Sequence, residues 1–118
     1  MSFFLKPGLK NLITDVKGLY IGNSENELIN TGSTILSCKD RFVASYRVLG
    51  GAPGTRETDL LEPDKLVEKI DALVLSGGSA FGLEAASEAV NLLRRDNKGY
   101  EVGNNKVPIV PSAIIFDL

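Results

Sequence analysis

The sequence contains no histidine and no tryptophan, and Cys38 is its single cysteine. Without histidine, this chain alone cannot build Ser-His-Asp or Cys-His catalysis, an imidazole-ligated metal site or an imidazole pH switch. A single cysteine excludes an internal disulfide, and the apolar neighbours Ile35 and Leu36 favour a small buried side chain over a reactive thiol. We therefore predict neither a metal nor an organic cofactor.

Long apolar runs and an excess of either charge are also missing. No stretch approaches the 18 or so apolar residues of a membrane span, and the apolar residues before Lys6 and Pro7 are too few for a secretory signal. The 13 basic and 15 acidic side chains give a net charge of −2, which supplies no basic surface for nucleic acid. With 43% apolar residues, the chain is predicted to be one cytoplasmic globular unit with no nucleic-acid or membrane partner.

Period-two patterns rich in β-branched and aromatic residues indicate two strands, at residues 31–38 and 41–49. We predict that these strands form a hairpin across Lys39 and Asp40. A shorter strand is predicted at residues 19–21.

The next two segments have different patterns. Pro63, followed by an apolar stripe through Ile70, predicts a short helix that ends near Asp71. The unalternating apolar run at residues 72–75 is typical of a strand buried on both faces.

The clearest unit comes directly after that strand. Ser-Gly-Gly-Ser at residues 76–79, here called the glycine turn, precedes a predicted helix of about 15 residues. The helix has an apolar face at Leu83, Ala86, Val90 and Leu93, and a stop signal begins at Asn97.

A glycine turn between a strand and a helix has several functional interpretations. A phosphate-binding loop is disfavoured because Leu83 and Glu84 stand where lysine and a hydroxyl residue are needed. A nucleophile elbow is disfavoured because Phe81 replaces its last glycine and no histidine can activate Ser79. Two interpretations stay open: Ser79 caps the helix, or backbone N–H groups at the helix start stabilise a carboxylate or an oxyanion.

A second polar cluster follows the glycine-rich residues 50–54. Its charged members are Arg56, Glu57 and Asp59. The cluster is either a solvated loop with a local ion pair, or a site that holds a substrate terminus or an interdomain contact.

The chain stops at Leu118, directly after the apolar residues 113–116. A strand of this character needs partners at its edges and layers over its faces. We therefore expect the sequence to be incomplete at its C-terminus.

Three ordered stretches are GGAPGTRETDLL at residues 50–61, SGGSAFGLEAA at 76–86 and VPIVPSAIIFDL at 107–118. Together they resemble the N-terminal part of the self-processing L-aminopeptidase/D-esterase family, which includes β-aminopeptidases and nylon-oligomer hydrolases. Residues 11–22, NLITDVKGLYIG, also fit the usual start of that family.

The resemblance implies a longer precursor that cuts itself before a Ser or Thr, whose freed amino group and hydroxyl then act as base and nucleophile. This chemistry needs no histidine. The resemblance also implies an α/β fold, a four-layer αββα sandwich resembling the N-terminal-nucleophile hydrolases, and assembly into homo-oligomers. In the family's order the nucleophile, the self-cleavage junction and the principal oxyanion-hole residue lie beyond Leu118, so no catalytic residue is assigned to this sequence.

We accordingly predict the N-terminal portion, residues 1–118, of a single self-processing aminopeptidase or amide hydrolase domain that acts on small peptides or amides and is inactive alone. Its partner is the missing C-terminal segment that carries the nucleophile. Four residues are predicted to line the substrate pocket: Gly77, Gly78, Ser79 and Phe81. Three more are predicted as scaffold or pocket residues: Arg56, Glu57 and Asp59. The alternative is a small non-catalytic binding or assembly module that uses residues 76–82 for an anionic ligand.

Overall fold

A computed structural model of the protein describes residues 5–118, and expectations for residues 1–4 lie outside that range. Its strands are β1 (Leu19–Asn26), β2 (Thr31–Phe42), β3 (Thr55–Arg56), β4 (Ile70–Ser76), β5 (Tyr100–Val102), β6 (Asn105–Val107) and β7 (Ser112–Ile114). The α-helix is α1 (Glu84–Arg95), and short 3-10 helices span Ile13–Asp15, Asp59–Leu61 and Ser79–Leu83.

Five strands form one mixed sheet in the order β1-β2-β4-β7-β3. Strand β2 is antiparallel to both β1 and β4, whereas β4 and β7 are parallel. Because parallel neighbours require a long crossover connection, α1 lies between β4 and β7 in the chain. Strands β5 and β6 form a separate antiparallel hairpin within that same crossover.

The core lies between α1 and one face of the sheet. Ala86 and Ala89 of the helix are buried with Ala72 and Val74 of β4 and with Val110. Small alanines on the inner helix face let α1 approach the sheet closely, and Val90 and Leu93 extend the contact. The predicted helix and its apolar face are therefore confirmed. Its end is confirmed too, since Asn97 adopts the left-handed conformation with φ 55°.

The predicted hairpin is wrong in its partners. Strand β2 runs without interruption through Lys39 and Asp40 to Phe42, and residues 43–49 form no strand. The hairpin is instead β1–β2, which turns at residues 27–30, where Asn30 has φ 48°. The polar pair Lys39-Asp40 coincides with a shift of register between β2 and β4, so it marks an irregularity in the strand and not a turn.

The short helix predicted from Pro63 is also wrong. Residues 62–69 contain no helix, and the neighbouring 3-10 turn ends at Leu61. Leu66, which belonged to the predicted apolar stripe, is 84% exposed. A helix this short gains too little from its own hydrogen bonds to form without a surface on which to bury its stripe.

One face of the sheet carries apolar side chains that no layer formed by residues 5–118 covers. We call this surface the open face; side-chain alternation places on it Leu73, Leu75, Ala113 and Ile115. Leu75 is 51% exposed and Ile115 is 65% exposed, so the prediction that residues 72–75 are buried on both faces is wrong for this chain. The chain exposes 9136 Å² in all, whereas a closed monomer of this size exposes ~6,200 Å².

The α/β class is confirmed by this sheet and helix, which make two layers within residues 5–118. Strand β7 has neighbours on both edges, β4 and β3. Within the same residues, no helix combines the length and apolar character that crossing a membrane requires.

Candidate functional site

The glycine turn lies at the carboxyl end of β4, where the chain leaves the sheet and enters the helical segment. Ser76 is buried at the end of the strand, and Gly78 and Ser79 follow with φ of 85° and 52°. Two successive residues in the left-handed region turn the chain sharply, and a glycine at the first position lowers the cost. Here the 3-10 helix starts at Ser79 and continues directly into α1.

The backbone N–H groups of this turn are already bonded within the chain. The Gly77 N–H donates to the Gly32 carbonyl at 2.8 Å, and the Ser79 N–H donates to the Ile115 carbonyl at 3.0 Å. The N–H between them, from Gly78, donates to the Asp117 carboxylate. These three donors, which the sequence suggested for an external carboxylate or oxyanion, therefore have internal acceptors.

Asp117 binds the turn and strand β2 at once. Its Oδ1 accepts the Gly78 N–H, and its Oδ2 accepts the Thr31 hydroxyl at 2.7 Å. These two hydrogen bonds hold the pKa of the Asp117 carboxyl below its ordinary value of 3.8, and the bond from Gly78 has the larger effect. The carboxylate thus occupies the position that an anion would take at this turn.

Two glycines are required by close packing around the turn. A Cβ built at Gly77 would overlap the Thr31 hydroxyl and the Asp117 carboxylate. A Cβ built at Gly82 would overlap the Gly77 carbonyl oxygen. The glycines at 77 and 82 are therefore explained by packing of the turn on itself and on Asp117.

The serines of the turn are not arranged as activated nucleophiles. The hydroxyl of Ser76 contacts the Ser33 hydroxyl at 2.7 Å and donates to the Gly77 carbonyl at 3.0 Å. The interpretation of Ser79 as the helix cap is wrong, because Gly78 occupies the cap of the 3-10 helix and Leu83 that of α1. Neither position makes a side-chain cap hydrogen bond.

Clefts reach the turn from two sides, the β1–β2 hairpin and the open face. One, of about 520 Å³, lies between the turn and the β1–β2 hairpin and is lined by Gly77, Thr31 and Asp117. The described residues that line it include the carboxylates Glu25 and Glu27 and no basic side chain. Another, of about 290 Å³, lies on the open face beside Leu75 and Ile115 and also reaches Gly77.

The four residues predicted to line a pocket occupy different environments. Gly77 lines both clefts. Gly78 and Ser79 form the bend itself, and Phe81 projects from the 3-10 helix with 79% of its surface exposed.

The second predicted cluster is tied to the rest of the chain by its side chains. The Arg56 guanidinium donates to the Ser87 hydroxyl of α1 at 2.7 Å. The Glu57 carboxylate accepts the Val110 N–H at 3.2 Å, and Glu57 itself has φ 55°. Asp59 begins the 3-10 helix Asp59–Leu61. Arg56 and Glu57 therefore connect β3 to the helix and to the segment that leads into β7.

The two clusters are related through β7. The Ile114 N–H donates to the Gly54 carbonyl at 3.0 Å, and the Ile115 N–H donates to the Ser76 backbone carbonyl at 3.0 Å. This places the glycine-rich segment that ends at Gly54 and the glycine turn at the same end of the sheet. Since β3 is antiparallel to β7, Arg56 and Glu57 lie towards the other end.

Thr31 and Asp117 were not singled out from the sequence as site residues. Asp117 belongs to the third family-like stretch, and Thr31 begins the strand predicted at residues 31–38. Their contact joins positions 86 residues apart, and nothing in local pattern indicates it. Within residues 5–118, no group of three or more Cys, Asp or Glu side chains is arranged to hold a metal ion.

Comparison with known proteins gives one family and several relatives. Peptidase family S58 matches residues 11–118. An uncharacterized aminopeptidase of Mycobacterium tuberculosis H37Rv is 41% identical over 116 residues, which cover 92% of this chain and 34% of that protein. An uncharacterized aminopeptidase of Mycobacterium leprae is 40% identical over 116 residues, with 92% and 32% covered. The chain thus spans about a third of the length of the curated relatives it matches.

Proposed function

Because this chain belongs to peptidase family S58, we propose that it is the N-terminal portion of a self-processing aminopeptidase or amide hydrolase. The family resemblance read from the sequence is confirmed. The observation that carries the proposal is the extent of the match, since 92% of this chain corresponds to only 34% of a relative described as an aminopeptidase. The substrates of the complete enzyme are proposed to be small peptides or amides with a free amino end.

The open face supports the view that more polypeptide packs on this sheet. Leu75 and Ile115 lie on it half-exposed or more, in a chain whose exposed area exceeds that of a closed monomer. Burying apolar surface contributes ~25 cal/mol per Å², so a second layer would stabilise the sheet strongly. We propose that the segment beyond Leu118 supplies this layer and completes an αββα sandwich.

The part of this chain in catalysis is proposed to be the pocket wall. Gly77 lines both clefts, Gly78 and Ser79 form the bend beside it, and Phe81 follows in the 3-10 helix. Arg56 and Glu57 are proposed to act as scaffold through their bonds to Ser87 and to Val110. Asp59 is proposed to have the same supporting role at the start of its 3-10 helix.

The attacking hydroxyl is proposed to lie on the segment beyond Leu118, where self-cleavage would free it. Support comes from the lack of histidine and from the hydrogen bonds that occupy the Ser33 and Ser76 hydroxyls. A serine needs an adjacent base or a lowered pKa to attack an amide. We therefore propose that the isolated chain hydrolyses nothing, and that homo-oligomers and a cytoplasmic location belong to the complete enzyme.

The alternative, an anion-binding module at residues 76–82, has less support. Asp117 already accepts the Gly78 N–H, and the neighbouring N–H groups of the turn donate to backbone carbonyls. An external anion would have to displace a carboxylate that the chain itself holds in place.

The test is reconstitution with the part of the Mycobacterium tuberculosis relative that this chain does not match. Hydrolysis of aminoacyl p-nitroanilides is measured for this chain, for the complement and for the mixture, with host peptidases removed. We expect activity only in the mixture, together with self-cleavage of the complement. Activity of the chain alone, or a mixture that neither associates nor hydrolyses, would contradict the proposal.

A pair of variants makes the test specific for the open face. Leu75→Asp places a charge on the open face, and we expect it to prevent association with the complement. Leu66→Asp places the same charge on a side chain that is 84% exposed and lies outside the sheet, and we expect normal association. Equal effects of the two variants would contradict packing on this face.

A further inference from the structure

The glycine turn is held by a residue that lies far along the chain. Asp117 is separated from Gly78 by 39 positions and from Thr31 by 86. Its two carboxylate oxygens have different partners, the Gly78 N–H on one side and the Thr31 hydroxyl on the other. One side chain thereby joins the start of β2, the end of β4 and the end of β7.

We infer that Asp117 is the positioning residue of the glycine turn: its carboxylate serves as an internal anion that fixes the left-handed bend at Gly78 and Ser79 and closes the turn to external anions. This inference concerns the conformation of the turn, and it holds whether or not the turn lines a substrate pocket. It follows from the geometry, because the Gly78 N–H has Asp117 as its acceptor while its neighbours bond to Gly32 and Ile115.

The packing of the turn leaves a defined space that this carboxylate fills. Gly77 has no room for a Cβ because the Asp117 carboxylate and the Thr31 hydroxyl occupy that space. The bend also costs conformational energy, since Ser79 has a side chain and still adopts φ 52°. Hydrogen bonds to an ionised acceptor are stronger than those between neutral groups, so a carboxylate is well suited to offset this cost.

The other charged side chains that line the Asp117 cleft within residues 5–118 are all acidic. Glu25 and Glu27 of the β1–β2 hairpin line the same cleft, and the described lining residues include no lysine or arginine. Within the described part of the chain, the Asp117 charge is therefore stabilised by the Gly78 N–H and the Thr31 hydroxyl, which lower the pKa of its carboxyl, and not by an ion pair. Loss of either donor should make the carboxyl easier to protonate.

The test follows the Gly78 amide by ¹H–¹⁵N NMR in the 118-residue chain. In the wild type we expect a downfield Gly78 proton whose shift titrates with a midpoint below 3.8, the ordinary value for Asp. Asp117→Asn should abolish this titration, whereas Asp64→Asn, which removes an exposed carboxylate paired with Lys65, should preserve it. A Gly78 amide with a random-coil shift in the wild type would overturn the inference, as would a titration that persists in Asp117→Asn.

Substitutions at Thr31 and a titration with added acetate give two further tests of the inference. Thr31→Val should raise the midpoint of the Gly78 titration, and Thr31→Ser, which keeps the hydroxyl, should restore it. In Asp117→Ala, added acetate should shift the Gly78 amide saturably towards its wild-type position, while the same acetate should leave wild-type Gly78 unchanged. Equal midpoints in Thr31→Val and Thr31→Ser would contradict the internal-anion role of Asp117. Acetate binding at wild-type Gly78 would also contradict it, and that measurement needs no variant to fold.

Discussion

The buried carboxylate of Asp71 accepts the backbone N–H of Ile109 at 2.9 Å, across 38 positions of the chain. The same carboxylate lies 3.5 Å from Arg41 Nε, an ionic contact that is too long for a good hydrogen bond. Arg41 in turn lies over the Tyr100 ring at 5.2 Å. Asp71 therefore connects β4 to the segment before β7 and, through Arg41, to β2 and the β5–β6 hairpin.

Asp71→Ala is expected to lower the free energy of unfolding by ~1–3 kcal/mol, because it leaves the buried Ile109 N–H without an acceptor. Urea denaturation followed by circular dichroism measures the change. The control is Asp64→Ala, which removes an exposed carboxylate beside Lys65 and should change stability by less than ~0.5 kcal/mol. Similar values for the two variants would show that Asp71 has no special structural role.

Gly77→Ala is expected to destabilise the chain by ~1–3 kcal/mol, since its methyl group would displace Thr31 or Asp117 from a packed position. Gly22→Ala is the matched control, because that glycine lies in β1 with open space where a Cβ would stand. Its replacement should be neutral or stabilise by up to ~1 kcal/mol, as alanine restricts the unfolded chain more than glycine does. A Gly77→Ala protein as stable as the wild type would refute the packing of the turn around Asp117.

Ser112→Ala is expected to leave stability unchanged or to raise it by up to ~1 kcal/mol, because the Ser112 hydroxyl is buried without a hydrogen-bond partner among residues 5–118. Ser87→Ala removes the acceptor of the Arg56 guanidinium at 2.7 Å and should cost ~1 kcal/mol. Thermal or urea denaturation of both variants gives the comparison. A loss at Ser112 larger than that at Ser87 would mean that the Ser112 hydroxyl has a partner.

The lowered pKa of Asp117 predicts a dependence of stability on acid pH. The folded chain binds the proton less tightly than the unfolded chain, so between the folded pKa and the ordinary value of 3.8 unfolding takes up a proton. The stability contributed by this ionised carboxylate is fully present above ~pH 5 and falls as the pH drops through that window. We expect the difference in unfolding free energy between wild type and Asp117→Asn to be constant from ~pH 5 to 7 and to shrink below 3.8. A difference independent of pH would contradict an ionised Asp117 in the folded chain.

Local periodicity was enough to predict α1 and the strand before it. Leu83, Ala86, Val90 and Leu93 recur at helical spacing, and the run at residues 72–75 is apolar enough to require the middle of a sheet. The hairpin prediction is wrong because the position of the turn depends on which strand pairs with β2. The turn lies at residues 27–30 because β1 is that partner. Strand β4 pairs with the other edge of β2 as far as Phe42, and this pairing favours one continuous strand through Lys39 and Asp40.

The site was predicted only in part, for a related reason. The turn at residues 76–79 has a local signature, but the acceptors of its N–H groups come from Gly32, Ile115 and Asp117. Contacts between such distant positions depend on sheet order, which single-residue patterns do not contain. The sequence therefore indicated donors at the turn but not that the chain provides their acceptors.

The most direct measurement is the location of the reactive hydroxyl. The reconstituted mixture is treated with a sulfonyl fluoride that reacts covalently with activated Ser or Thr, and the labelled residue is identified by peptide mass spectrometry. We predict a label on the new N-terminal residue of a fragment cut from the complementary segment, and none within residues 1–118. Stoichiometric labelling of Ser79, or of any other hydroxyl in this chain, would contradict the account.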